Sequence, residues 1–117
     1  MEGRKIYSVE ITPEAEFYYL ELGEYLYKHQ TPAAANKKLA EILSMAISLE
    51  NHPNRGRIEE KLSFLGKNHR FLVYPYTPRK SIKVIYFVEE STKKVFVTDF
   101  FPREMDNDKI SKKRSSL

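Results

Sequence analysis

The spacing of apolar and polar positions changes along the chain, and each change marks a new element. Residues 5–11 (KIYSVEI) set Tyr7, Val9 and Ile11 against Ile6, Ser8 and Glu10, the two-residue period of a half-buried strand. From Ala15 the period lengthens: Ala15, Tyr18, Tyr19, Leu22, Tyr25 and Leu26 recur at spacings of three and four, which is one apolar stripe of a helix. Thr12-Pro13 opens it, because threonine can cap free N–H groups and proline at the first helical position gives up an N–H that has no helical partner. Thr31-Pro32 repeats the start, and Ala35, Leu39, Ile42, Leu43, Ala46 and Leu49 form the inner face of a second helix running to about Glu50. Asn51-His52-Pro53-Asn54 stops it. So short a turn between two helices predicts an antiparallel helical hairpin.

Residues 54–68 are polar and basic with two glycines, and predict a mostly irregular connection with a short strand or turn near Ile58–Leu65. Three strand-like runs follow: HRFLVYPY (69–76), SIKVIYFV (81–88) and KVFVTDFF (94–101). Their short separators make them antiparallel, and the nearly continuous apolar character of the middle run places it at the centre of the sheet. The order β-α-α-β-β-β predicts an α+β fold, a helical hairpin packed on an antiparallel sheet.

A chain of 117 residues has room for one core, which we place in residues 1–108. Residues 109–117 (KISKKRSSL) hold four positive charges and no acid, and read as a basic, disordered tail. The absence of cysteine excludes a disulfide framework, cysteine-ligated zinc and thiol catalysis, and suits a cytoplasmic location. No apolar run approaches the roughly 18 residues of a membrane span, and the first residues do not form a secretion signal.

Charge is uneven. Residues 1–50 carry 5 Lys and Arg against 8 Asp and Glu, whereas residues 51–117 carry 15 against 8. The balances, −3 and +7, sum to the chain's +4 and point to a polyanionic partner, either nucleic acid or an acidic protein segment. The basic residues that matter are Arg55 and Arg57 around Gly56, then Lys61, Lys67, His69 and Arg70. Arg70 stands inside an apolar strand, on the face of Leu72 and Tyr74. An arginine there needs either an acid, such as Asp99 on a neighbouring strand, or a groove where a phosphate completes it. Metal-free RNA cleavage by the ribose 2′-hydroxyl would further require an acid, a base and cations; Glu59, Glu60 and His69 are the base candidates. Tyr74, Phe100 and Phe101 could stack on a nucleobase or simply pack in the core. His29 and His52, like His69, are most simply surface or helix-end histidines, and no residue pattern calls for a metal or cofactor.

Four segments carry a resemblance: VEITPEAE, AAANKKLAEILSMAISLENHPNRGR, HRFLVY and KVFVTDFFPREM. In order and spacing they resemble the RelE/ParE superfamily of toxins from bacterial type II toxin–antitoxin (plasmid stabilisation) systems. The resemblance covers residues 5–103 and implies a cognate antitoxin, small and partly disordered, that wraps the toxin and covers its basic groove. HRFLVY is similar to the strand on which RelE-type ribonucleases carry a phosphate-binding arginine, here Arg70. The RelE-type reading is a ribosome-dependent mRNA endoribonuclease, with Arg70 and Arg57 on the scissile phosphate, Arg103 as a further cation, and Arg55, Lys61, Lys67 and His69 binding RNA. ITPEAE and HPNRGR are closer to the ParE branch, whose members inhibit DNA gyrase without catalysis. The last strand departs from the RelE pattern, since Asp99-Phe100-Phe101-Pro102-Arg103 offers neither Tyr nor His. The sequence reading leans to the ribonuclease, with the gyrase inhibitor, or a degenerate toxin that only binds its antitoxin, as alternatives.

Overall fold

A computed structural model describes residues 6–103; the basic segment 109–117 lies outside the described residues. Strand β1 (Ser8–Ile11) leads into helix α1 (Pro13–His29). The Thr12 hydroxyl accepts the Ala15 N–H at 3.2 Å and caps α1. Helix α2 (Pro32–Ile47) starts in the same way, with the Thr31 hydroxyl accepting from Ala34 at 3.2 Å. Its last turn tightens into a 3-10 turn at Ser48–Glu50. The connection that follows holds a two-residue strand, β2 (Arg57–Ile58), and a 3-10 helix over Glu60–Leu65. Strands β3 (Arg70–Pro75), β4 (Ser81–Glu89) and β5 (Lys94–Pro102) complete the chain.

The five strands form one sheet in the order β1-β5-β4-β3-β2. All pairs are antiparallel except β1 with β5, whose parallel pairing follows from the helical hairpin carrying the chain away between them. The predicted α+β architecture holds, with β4 central. Both helices cover one face, where Leu22, Leu26 and Ile42 meet Leu72, Val84, Tyr86, Val97 and Phe100 in the main core. No helix among the described residues is long and apolar enough to cross a membrane.

The opposite face is not left bare. The 3-10 helix lies across it as a small cap, and Leu62 and Leu65 pack on Phe71, Ile85 and Phe101. Strand β5 serves both faces because of a bulge: Ile85 pairs with Asp99 but Tyr86 pairs with Val97, leaving Thr98 as the extra residue. Beyond the bulge the alternation is reset. Phe100 turns to the helices, while Asp99 and Phe101 turn to the capped face. Phe100 and Phe101 are therefore core residues, which excludes them as exposed stacking platforms. Tyr74 is half-buried and its hydroxyl donates to the Glu41 carboxylate on α2. Burial first, and that carboxylate second, push its phenol up to about 12.

Candidate functional site

Strand β2 pairs with only Arg70 and Phe71 of β3, and beside it lies a shallow groove of about 430 Å³. Its floor is Phe71, Leu72 and Val73, and its rim is Arg55, Arg57 and Arg103. All three arginines are exposed. Arg57 sits on β2 opposite Phe71, which sends its side chain to the capped face. Arg103 arrives from β5, where its backbone N–H donates to the Ser81 carbonyl at 2.9 Å and fixes the strand end beside β4. Arg55 donates to the Ser48 hydroxyl at 2.6 Å, which anchors it to the end of the hairpin. Among the described residues no carboxylate lines the groove.

Arg70 is placed differently. It faces the helices opposite Tyr86, whereas Asp99, Ile85 and Phe71 share the other face, so the Asp99 pair is not formed. Its guanidinium instead donates to the carbonyls of Gly56 at 2.8 Å and Asn54 at 3.2 Å. The Gly56 N–H donates in turn to the buried Tyr86 hydroxyl at 3.0 Å. Burial pushes the Tyr86 phenol above its ordinary value, against the opposing pull of the Gly56 N–H and the Arg70 and Arg55 cations. Arg70, Gly56 and Tyr86 thus form a clasp that presents Arg55 and Arg57 from behind. Glycine is required in it: a Cβ at position 56 would lie 2.7 Å from both the Phe71 carbonyl oxygen and the Tyr86 hydroxyl.

The other sequence candidates lie apart from the groove lining. Lys61 is exposed on the cap, and Lys67 lies over the Phe87 ring, 4.8 Å from its centroid. Lys67 borders a separate depression of about 380 Å³ that also holds Glu89 and Glu90, which balance its charge. His69 is not a surface histidine: it is 1% exposed, and neither ring nitrogen has a hydrogen-bond partner among the described residues. Burial, then the Lys67 cation, lower its pKa to about 4, with Glu59 opposing. Glu60 is exposed, whereas Glu59 is buried and committed to an ion pair with Lys83.

Lys83 is the residue that sequence reasoning passed over. It is the one charge in the apolar run SIKVIYFV, and alternation alone would have put it on the face away from the helices. There its ammonium meets Glu59 Oε1 at 2.5 Å and lies 4.2 Å from the centre of the Phe71 ring, under the groove floor. Chemically, then, the site gathers exposed guanidinium groups for an anion. None of the described side chains that line it can exchange a proton near neutral pH. No three His, Cys, Asp or Glu among the described residues are placed to hold a metal ion.

The family model for the ParE toxin of the type II toxin–antitoxin system, parDE, matches residues 9–107. The chain belongs to this family. No curated protein matches it in a sequence search. Membership of the ParE toxin family makes the chain the toxin of a type II pair and gives it a cognate antitoxin.

Proposed function

We propose that this ParE-family toxin poisons by binding its target, as a DNA gyrase inhibitor, and does not cut RNA. The observation that carries the reading is the use made of Arg70. The arginine that the RelE resemblance puts on the scissile phosphate is occupied by the carbonyls of Asn54 and Gly56. Among the described residues the groove in front of it supplies cations but no group to move a proton, and cleavage through a 2′-hydroxyl needs both. The match to the ParE branch supports the same choice. Arg57 and Arg103, brought together on one rim, support the ribonuclease as the second reading.

Pulse-labelling of a bacterial host minutes after induction separates the two. We expect DNA synthesis to stop before protein synthesis, and purified gyrase to lose supercoiling activity as toxin is added. Arrest of protein synthesis first, with mRNA cut on ribosomes, overturns the proposal in favour of the ribonuclease.

A further inference from the structure

The turn between β3 and β4, TPRK in the sequence, takes no part in the arginine groove. It folds against the end of α1, and the two elements enclose a pocket of about 320 Å³. Small-ligand sites span about 300–1,000 Å³, so the space is sufficient for a compact ligand. Tyr25, His29 and Gln30 at the helix end face Thr77, Arg79 and Lys80 of the turn. The hydrogen bonds made here use up acceptors and leave donors. The Thr77 hydroxyl oxygen accepts the backbone N–H groups of Arg79 at 3.2 Å and Lys80 at 2.9 Å, which closes the turn. Its own hydrogen has no acceptor among the described residues. The Tyr25 hydroxyl accepts from the Lys80 ammonium at 2.9 Å, so its hydrogen too is left to donate. Gln30 follows the same rule. An ammonium only donates, so the Gln30 atom 2.8 Å from Lys38 Nζ is the carbonyl oxygen, and the amide NH₂ is left over. The Arg79 guanidinium is exposed and has no partner among the described residues. Among those residues no carboxylate lines the pocket. The last turn of α1 brings the negative end of its dipole, which Lys28 in that turn offsets.

One wall is aromatic. The Tyr25 and His29 rings lie with centroids 4.3 Å apart and planes 39° from parallel. Tyr76 holds Tyr25 edge-on at 6.3 Å, whereas His29 is exposed. We propose that this pocket binds a nucleoside phosphate, either as a free nucleotide or as one unit of a nucleic-acid strand. Phosphate oxygens accept, which complements hydrogens offered by Thr77, Tyr25 and Gln30 beside the fork of Arg79. A carboxylate also accepts, and the aromatic wall decides between them: a nucleobase laid on His29 continues the stack that Tyr25 begins. The pocket shares no lining residue with the groove, and the proposal goes beyond the gyrase reading without depending on it.

The test titrates the full chain with adenosine monophosphate, adenosine, inorganic phosphate and a thymidine hexanucleotide. Affinity is read by calorimetry, and the Gln30 side-chain amide by its NMR signal. We expect adenosine monophosphate to shift that signal and to bind about tenfold or more tighter than adenosine. Arg79→Glu should weaken its binding by about tenfold or more. Tyr25→Phe keeps the ring, loses the hydroxyl and should weaken it by about threefold to tenfold. His29→Ala should weaken the nucleotide by about fivefold and leave inorganic phosphate unaffected. Arg57→Glu changes the net charge as much as Arg79→Glu does, but in the groove. A hexanucleotide that binds about tenfold tighter than the mononucleotide, with the same need for Arg79, identifies a strand as the ligand. Equal or weaker binding of the hexanucleotide identifies the free nucleotide. No binding by either, equal affinity for adenosine and its monophosphate, or equal losses from Arg79→Glu and Arg57→Glu each overturns the site. Arrest of DNA or of protein synthesis by the toxin bears on none of these outcomes.

Discussion

At the scale of single residues, Arg70 and Arg57 separate structural from interfacial use of arginine. Arg70→Ala removes two charge-assisted bonds to backbone carbonyls and should cost about 2–3 kcal/mol in urea unfolding. Arg57→Ala has no partner to lose among the described residues and should change stability by less than about 0.5 kcal/mol. If Arg70→Ala proved as stable as the parent, the clasp would not be holding the loop. His69 gives a pH prediction. Its pKa falls from 6.5 to about 4 on folding, so the fold accepts the neutral imidazole and binds fewer protons than the unfolded chain between these values. Its contribution is complete above pH 6.5 and is lost as pH falls toward 4, by at most about 1.4 kcal/mol per unit. His69→Phe, which retains the ring packed against Phe87, should flatten that part of the stability–pH curve relative to the parent. Equal slopes would mean that His69 stays accessible to protons in the fold. The oddity of both residues was legible in the sequence: an arginine in an apolar strand and a histidine at its start. Their environments were not, because backbone acceptors and the cap come from a connection with no periodicity.

Among the elements, that connection and the β5 bulge are where pattern reading ran out. The two helices announced themselves through repeated Thr-Pro starts and a three-four spacing, and both capping hydroxyls are in place. Strand β5 shows why alternation is not enough. Counting by twos from Val95 and Val97 puts Asp99 and Phe101 under the helices, whereas Thr98 inserts and reverses them. The reversal provides Phe101 as a seat for the cap, which Glu59 fastens at its own start by accepting the Lys61 N–H at 3.3 Å and holding Lys83. The ion pair is buried, so removing one partner strands the other. Lys83→Met or Glu59→Leu alone should cost about 3–5 kcal/mol, while the two replacements together should recover most of the loss. A double-mutant cycle measures the coupling; additive losses would show that the cap is held by Leu62 and Leu65 without the ion pair.

For the molecule as a whole, the uneven charge seen in the sequence becomes a division between layers. The acidic half builds β1 and the helical hairpin, and the basic half builds the other four strands, the cap and the arginine rim. Such a division directs an acidic partner to the groove before any contact forms, an effect that acts on encounter and weakens with salt. Residues 109–117 contribute four of the positive charges, so a chain ending at 108 falls from a net +4 to zero. We expect this truncation to separate folding from recruitment. Urea unfolding should shift by less than about 0.5 kcal/mol, since we place the domain in residues 1–108. Stopped-flow association with an acidic peptide, acetyl-Val-Glu-Val-Glu-Val-Glu-amide, at low salt should slow by about tenfold, with dissociation nearly unchanged, as expected of residues that act through their charge alone. At molar salt the two chains should associate at similar rates, the screening length then being about 3 Å. A large loss of stability on truncation would instead place residues 109–117 within the domain, and a faster dissociation would place them in the peptide's contact surface.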